Sequence, residues 1–234
     1  MLDKAFEALK TLDWGADLKP LESIDAAIVA SHKDAAVQKD LETRLVATLK
    51  SAAPRDAKDY ACRKLMIVGS AVCVPALAEL LPKEDHSHMA RFALERIPTS
   101  EAATALLDGL AKTNGKLKIG VIASLGARRD AASLPALASL LTDTDEQIVR
   151  AAATALGYIA TAEAAKALAD VKPTGAAAKS AAADARLACA EAQLAAGNKT
   201  EALAIYKSFA TGDQPKHLKL AGTRGMLACA GKKD

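Results

Sequence analysis

VPALAELLPKEDHSHMARFALERIP begins at Val74, and LPALASLLTDTDEQIVRAAATALG begins at Leu134. Both read Pro-Ala-Leu-Ala-x-Leu-Leu, then a polar turn, then Arg followed by an Ala-rich run that closes on Pro98 or Gly157. The pairs Leu80/Leu81 and Leu140/Leu141 stand 60 residues apart, and Leu107 to Leu110 falls between them, so two periods of about 30 residues separate the quoted stretches. Gly69, Pro98, Gly126, Gly157, Gly197 and Gly231 step by 29, 28, 31, 40 and 34 residues and read as the breakers that end each second helix.

Within a unit the apolar residues recur at three and four, as in Val37, Leu41, Leu45 and Leu49, which is the period of one helix face. No alternation of β-branched and aromatic residues is long enough for a strand. Pro75 and Pro135 fall where a first helical turn tolerates a missing N–H, and Asp85, Ser87 and Asp145 stand as N-cap candidates for second helices. The spacing predicts helices over 3–12, 18–31, 35–50, 56–68, 72–81, 87–97, 100–112, 116–126, 131–141, 146–160, 162–170, 176–196, 199–210 and 216–230. An all-α chain follows, an α-α superhelix of about seven antiparallel pairs. Each pair has two apolar faces and is stable only when stacked on its neighbours, which gives a right-handed superhelix with a concave and a convex surface.

The composition fits close helix stacking. Of 234 residues, 51% are apolar but only 3% aromatic, and 56 are alanine. Alanine favours helix and lets backbones approach, as the runs Ala151 to Ala153 and Ala181 to Ala183 suggest. No window is long and apolar enough for a membrane span, and the N-terminus MLDKAFEALKTLDWG lacks the apolar run of a secretory signal. A net charge of +3 is too mild to indicate nucleic acid. Cys62, Cys73, Cys189 and Cys229 lack C-x-x-C spacing and read as buried thiols.

Leu134 to Gly157 resembles the HEAT-repeat pattern in its short bacterial variant: Pro in the first helix, a Leu pair, Asp in the turn, Val149-Arg150, then Ala155-Leu156-Gly157. The likeness extends to 74–97, weakens over 116–126, and is only patterned over 35–69. From Leu187, the run LACAEAQLAAGNKTEALAIYKSFA is similar to a tetratricopeptide unit, with Gly197 at the turn and Ala202 and Tyr206 four apart. Three segments are therefore expected in one continuous solenoid: N-terminal capping helices over 1–34, HEAT-like repeats over 35–174, and TPR-like or HEAT-like helices over 175–234. The resemblance implies a protein-binding scaffold, with a protein or peptide partner on the concave face, no cofactor and no catalysis.

A basic side chain recurs early in most second helices: Arg63, Arg91, Lys118, Arg150, Arg186 and Lys219, with Lys112, Lys116, Arg128 and Arg129 nearby. One reading is an inter-repeat ladder, each cation bonding carbonyls or a turn carboxylate of a neighbour, with Asp59, Asp85, Asp145 and Asp184 as acceptors. The other is an exposed cationic strip for an acidic partner. His86 and His88 read as part of a polar turn, not as metal ligands, because H-E-x-x-H is absent. The His-Glu dipeptides of iron-binding HEAT hydroxylases are also absent. His32 and His217 stand alone near helix ends, and Trp14, before Gly15, reads first as packing for the N-terminal cap and second as a binding anchor.

No phosphate loop, nucleophile elbow or paired Cys and His appears. The alternative is a HEAT-like DNA-binding protein or DNA glycosylase-type enzyme with a basic concave surface, and against the glycosylase the dispersion of Phe6, Trp14, Tyr60, Phe92, Tyr158, Tyr206 and Phe209 counts. A HEAT-like chromophore lyase would need a pocket with reactive groups. The chain ends on AGKKD just after Met226 and Leu227, where a solenoid expects a polar cap, so it reads equally as a fragment. The cytoplasm is the default expectation, and the periplasm if a signal lies outside this sequence.

Overall fold

A computed structural model describes residues 1–171, 174–211 and 214–231, so the last three residues of the tail AGKKD lie outside the described residues. The described residues are all-α, with fourteen α-helices and three 3₁₀ turns. None of the helices is long and apolar enough to cross a membrane. The chain packs as two compact units, Met1–Ser124 and Leu125–Asp234.

The first unit holds α1 (Leu2–Leu9), α2 (Glu22–Ser31), α3 (Ala35–Lys50), α4 (Arg55–Val68), α5 (Val74–Ala78), α6 (Glu84–Arg96), α7 (Ser100–Lys112) and the larger part of α8 (Gly115–Arg128). Helices pack in sequential pairs, and the second helices α4 and α6 and the first helices α5 and α7 also stack on one another. Its core is aliphatic: Leu9, Ile24, Leu41, Leu45, Leu65, Leu77, Leu94 and Leu106 are fully buried. Polar side chains fasten the layers. Asp34 caps α3 by accepting from the amides of Ala36 and Val37. Arg44 reaches Asp3 at 2.6 Å and Asp40 at 2.8 Å, and lies over the Phe6 ring. Asp25 of α2 pairs with Lys64 of α4, 2.5 Å away, and accepts from the Tyr60 hydroxyl.

Glu42 is the buried acid of this unit. From α3 its carboxylate accepts from the amides of Ser70 (2.7 Å) and Cys73 (3.2 Å) and from the Ser70 hydroxyl (2.9 Å), so it holds the loop ahead of α5. A buried carboxylate is tolerated there because donors surround it.

The second unit continues through the end of α8 to α9 (Leu134–Ser139), α10 (Glu146–Ile159), α11 (Ala162–Asp170), α12 (Ala176–Ala195), α13 (Lys199–Ala210) and α14 (Lys216–Cys229). Pairs α9/α10, α11/α12 and α13/α14 pack in sequence, and α10, α12 and α14 stack. Asp145 and Thr161 cap α10 and α11. Glu146 accepts from the Ala178 amide at the start of α12, again a carboxylate serving a neighbouring helix start.

Three expectations are corrected. Asp85 and Ser87 are not caps, because α6 already begins at Glu84 behind Lys83, whose side chain accepts no cap bond; Ser87 is buried inside the helix. The first helices at the two quoted stretches are shorter than their Leu pattern suggests. Leu80 and Leu81 bond back three residues, to Leu77 and Ala78, so the chain tightens before Pro82 and α5 spans only Val74–Ala78. Likewise 3₁₀ turns at Ala131–Ser133 and Leu140–Thr142 bracket α9.

The third correction concerns the breakers. Gly69 does end α4, and Gly197 (φ +85°) and Gly231 (φ +71°) follow α12 and α14 in the left-handed conformation. Gly126 and Gly157, however, lie inside α8 and α10. A Cβ on Gly126 would stand 2.7 Å from the Ala155 Cα, and one on Gly157 would stand 2.9 Å from the Ala185 Cα. These glycines permit close helix crossing and terminate nothing.

Candidate functional site

The recurrent basic residues separate into two groups by what surrounds them. Arg91 of α6 lies across to α8, donating from Nη1 to the Gly120 carbonyl at 2.9 Å and to the Ser124 hydroxyl at 3.3 Å. Ser124 in turn donates to Glu95 at 2.7 Å. Space for the guanidinium exists because residue 120 is glycine: a Cβ there would fall 2.5 Å from Arg91 Cζ. Burial draws the Arg91 pKa down, and Glu95 opposes the shift. Arg186 of α12 behaves alike in the second unit. It donates to the Ser208 hydroxyl at 2.6 Å, lies 4.6 Å over the Phe209 ring, and burial lowers its pKa. Both side chains join neighbouring helices.

Arg63, Arg150, Arg129 and Lys219 are exposed, and Lys118 is half-buried. The side chains of these five make no hydrogen bond or ion pair at salt-bridge distance with a described residue. Arg128 is partly buried in the last turn of α8. Three of the four carboxylates named as acceptors are used otherwise: Asp145 caps its own helix, Asp59 pairs with Arg55 at 3.7 Å within α4, and Asp184 accepts from Ser180. Burial raises the Asp59 pKa, against the pull of Arg55, Arg63 and His86.

Around the exposed cations the second helices present outward stripes at four-residue steps. On α4 the stripe is Arg63 and Ile67, behind the largely buried Asp59; on α10 it is Arg150, Thr154 and Tyr158. Ile67 and Tyr158 are both 53% exposed, large apolar surface one turn from Arg63 and two turns from Arg150 on the same helices. On α6 the stripe is a stack, with His88 on Phe92 at 6.2 Å and Arg96 over the Phe92 ring at 3.7 Å. The four-residue spacing of 88, 92 and 96, and of 150, 154 and 158, is the signal that would have found these neighbours in the sequence. His86, expected in a turn, sits in the first turn of α6, with its pKa lowered by burial and by Lys58. Trp14 is corrected too: at 92% exposure it packs against nothing as a cap.

Chemically, these surfaces offer cations, rings and carboxylates, whereas the four thiols are buried. Burial pushes Cys62 and Cys73 up to about 12 and Cys189 up to about 11, so these three stay protonated at neutral pH. Among the described residues no group of three or more His, Cys, Asp or Glu is placed to hold a metal ion.

Residues 103–192 match the family model of HEAT repeats. No curated protein matches the sequence. Solved structures similar to the chain include human deoxyhypusine hydroxylase in complex with glycerol (18% identity over 79% of this chain and 94% of that one, TM-score 0.44). Two engineered proteins are also similar. One is 22% identical over 82% of this chain and 97% of its own, TM-score 0.43. The other is 20% identical over 98% of this chain and 69% of its own, TM-score 0.44.

Proposed function

Residues 103–192 carry the HEAT-repeat pattern, and from that premise we propose that the chain is a non-catalytic scaffold that binds an acidic protein or peptide along its second helices. One observation supports this reading above the rest: Arg63 and Arg150 are exposed, make no hydrogen bond or ion pair at salt-bridge distance with a described residue, and share their helix stripes with exposed Ile67 and Tyr158. Arginine and tyrosine beside apolar surface are the residue types enriched at interface centres. Lys118 and Lys219 extend the contact set within their own units, while Arg91 and Arg186 hold the helices that present it. The segment 1–34 serves as the N-terminal cap, and 175–234 as the closing helices.

Immobilised chain, verified as helical by circular dichroism, is the reagent for the test. It is expected to retain an acidic partner that elutes with rising salt, because exposed charges are screened within about 10 Å at 0.1 M. A well-folded chain that retains nothing at low salt contradicts the proposal.

A further inference from the structure

A groove on the first-helix side of the first unit is separate from the second-helix stripes. It encloses about 320 Å³ between α5 and α7. Val74, Ala78 and Leu81 form one wall, and Ala105 belongs to the other. The groove follows from the shortness of α5. Five residues of helix lie against the thirteen of α7, so part of α7 is left uncovered.

The uncovered stripe of α7 is Glu101, the pair Thr104 and Ala105, Asp108 and Lys112, each three or four residues from the next turn's member. Glu101 and Asp108 are exposed at the rim and stand two turns apart, about 10.5 Å along the axis at 1.5 Å per residue. Apart from the hydroxyl of the adjacent Ser100, 3.2 Å from Glu101, neither carboxylate has a hydrogen-bond or ion-pair partner among the described residues. A small apolar floor flanked by two exposed carboxylates at a helical repeat distance is complementary to one kind of occupant.

We infer that this groove receives an amphipathic helix of a partner protein, with small apolar side chains on the floor and two basic residues seven apart meeting Glu101 and Asp108. Lys112, four residues beyond Asp108, disfavours a third cation at that end of the groove. Helix-in-groove docking of this kind is read through anchors at i, i+3, i+4 and i+7.

Selection from a phage-displayed library of sixteen-residue amphipathic helical peptides, against the full chain, tests the inference. Enriched peptides are expected to carry Lys or Arg seven apart around apolar anchors. Their affinity is expected to fall at least tenfold when Glu101→Lys is combined with Asp108→Lys, and again when Thr104→Trp fills the groove. Thr104 is exposed, so that variant keeps its helix, which circular dichroism verifies; Glu101→Gln with Asp108→Asn gives a milder second variant. Lys10→Glu, at the C-cap of α1 and outside both surfaces, is expected to leave peptide affinity unchanged. No enrichment, enrichment without paired basic residues, or equal binding to Thr104→Trp overturns the inference.

Discussion

Gly157 of α10 lies against Ala185 of α12 with so little clearance that a Cβ on the glycine would stand 2.9 Å from both the Cα and the Cβ of the alanine. Gly126 of α8 meets Ala155 of α10 in the same way. Gly157→Ala and Gly126→Ala are each expected to destabilise the second unit by about 1–3 kcal/mol through overpacking. In a chain of this size that lowers Tm by roughly 2–4 °C per kcal/mol. Thermal unfolding followed by circular dichroism checks it, and unchanged Tm values would mean that the helices can move apart freely.

Arg91 and Arg150 occupy equivalent places in the two quoted repeats but differ in role. Arg91→Ala removes the donor to the Gly120 carbonyl and is expected to cost about 1–3 kcal/mol. Arg150→Ala, on an exposed face, is expected to stay within about 0.5 kcal/mol of the parent. Urea denaturation of both variants measures the difference.

Glu42 collects three donors from the loop before α5, so Glu42→Ala is expected to cost about 2–4 kcal/mol, with Glu42→Gln retaining part of the loss because one oxygen still accepts. Amide hydrogen exchange at Ser70 and Cys73 is the local readout. Protection there should fall in both variants, more in Glu42→Ala.

The thiols give a pH prediction. Cys62 and Cys73 are raised to about 12 from an ordinary 9.0, so the folded state holds their protons more tightly than the unfolded chain. The unfolded chain therefore binds fewer protons above pH 9, and stability falls as pH rises from there toward 12. Below pH 8 these groups contribute no slope. Denaturant titrations between pH 7 and 11 check the sign, and Ellman's reagent should react slowly with the native protein and fast in urea.

Trp14 is the only tryptophan and stands in solvent. Its emission is expected to be that of a hydrated indole, open to iodide quenching, and to change little on unfolding. Protected emission would place the indole in a contact and return it to a packing role.

Much of the fold can be read from spacing alone. Steps of three and four among leucines mark the helices, and a 30-residue recurrence marks their pairing. What spacing hides is anything decided by the neighbouring repeat. Gly126 and Gly157 look like terminators because glycine is commonest past a helix end, yet their function depends on Ala155 and Ala185, about 30 residues away. Arg91 and Arg150 are indistinguishable in their own repeats. Only Gly120, 29 residues past Arg91, opens the space that takes the guanidinium out of solvent. The shortness of α5 is hidden because the Leu80/Leu81 pair continues the helical period up to Pro82, while the chain tightens at those leucines.

The binding role of the exposed cations is tested most directly by measuring, at fixed salt, the affinity of a captured acidic partner for the parent chain and for a variant combining Arg63→Glu with Arg150→Glu. The scaffold reading predicts at least a tenfold loss with Tm unchanged, and no comparable loss for Lys10→Glu, which reverses an exposed cation of α1's C-cap outside the second helices. Equal affinity for the parent and the double variant would contradict it.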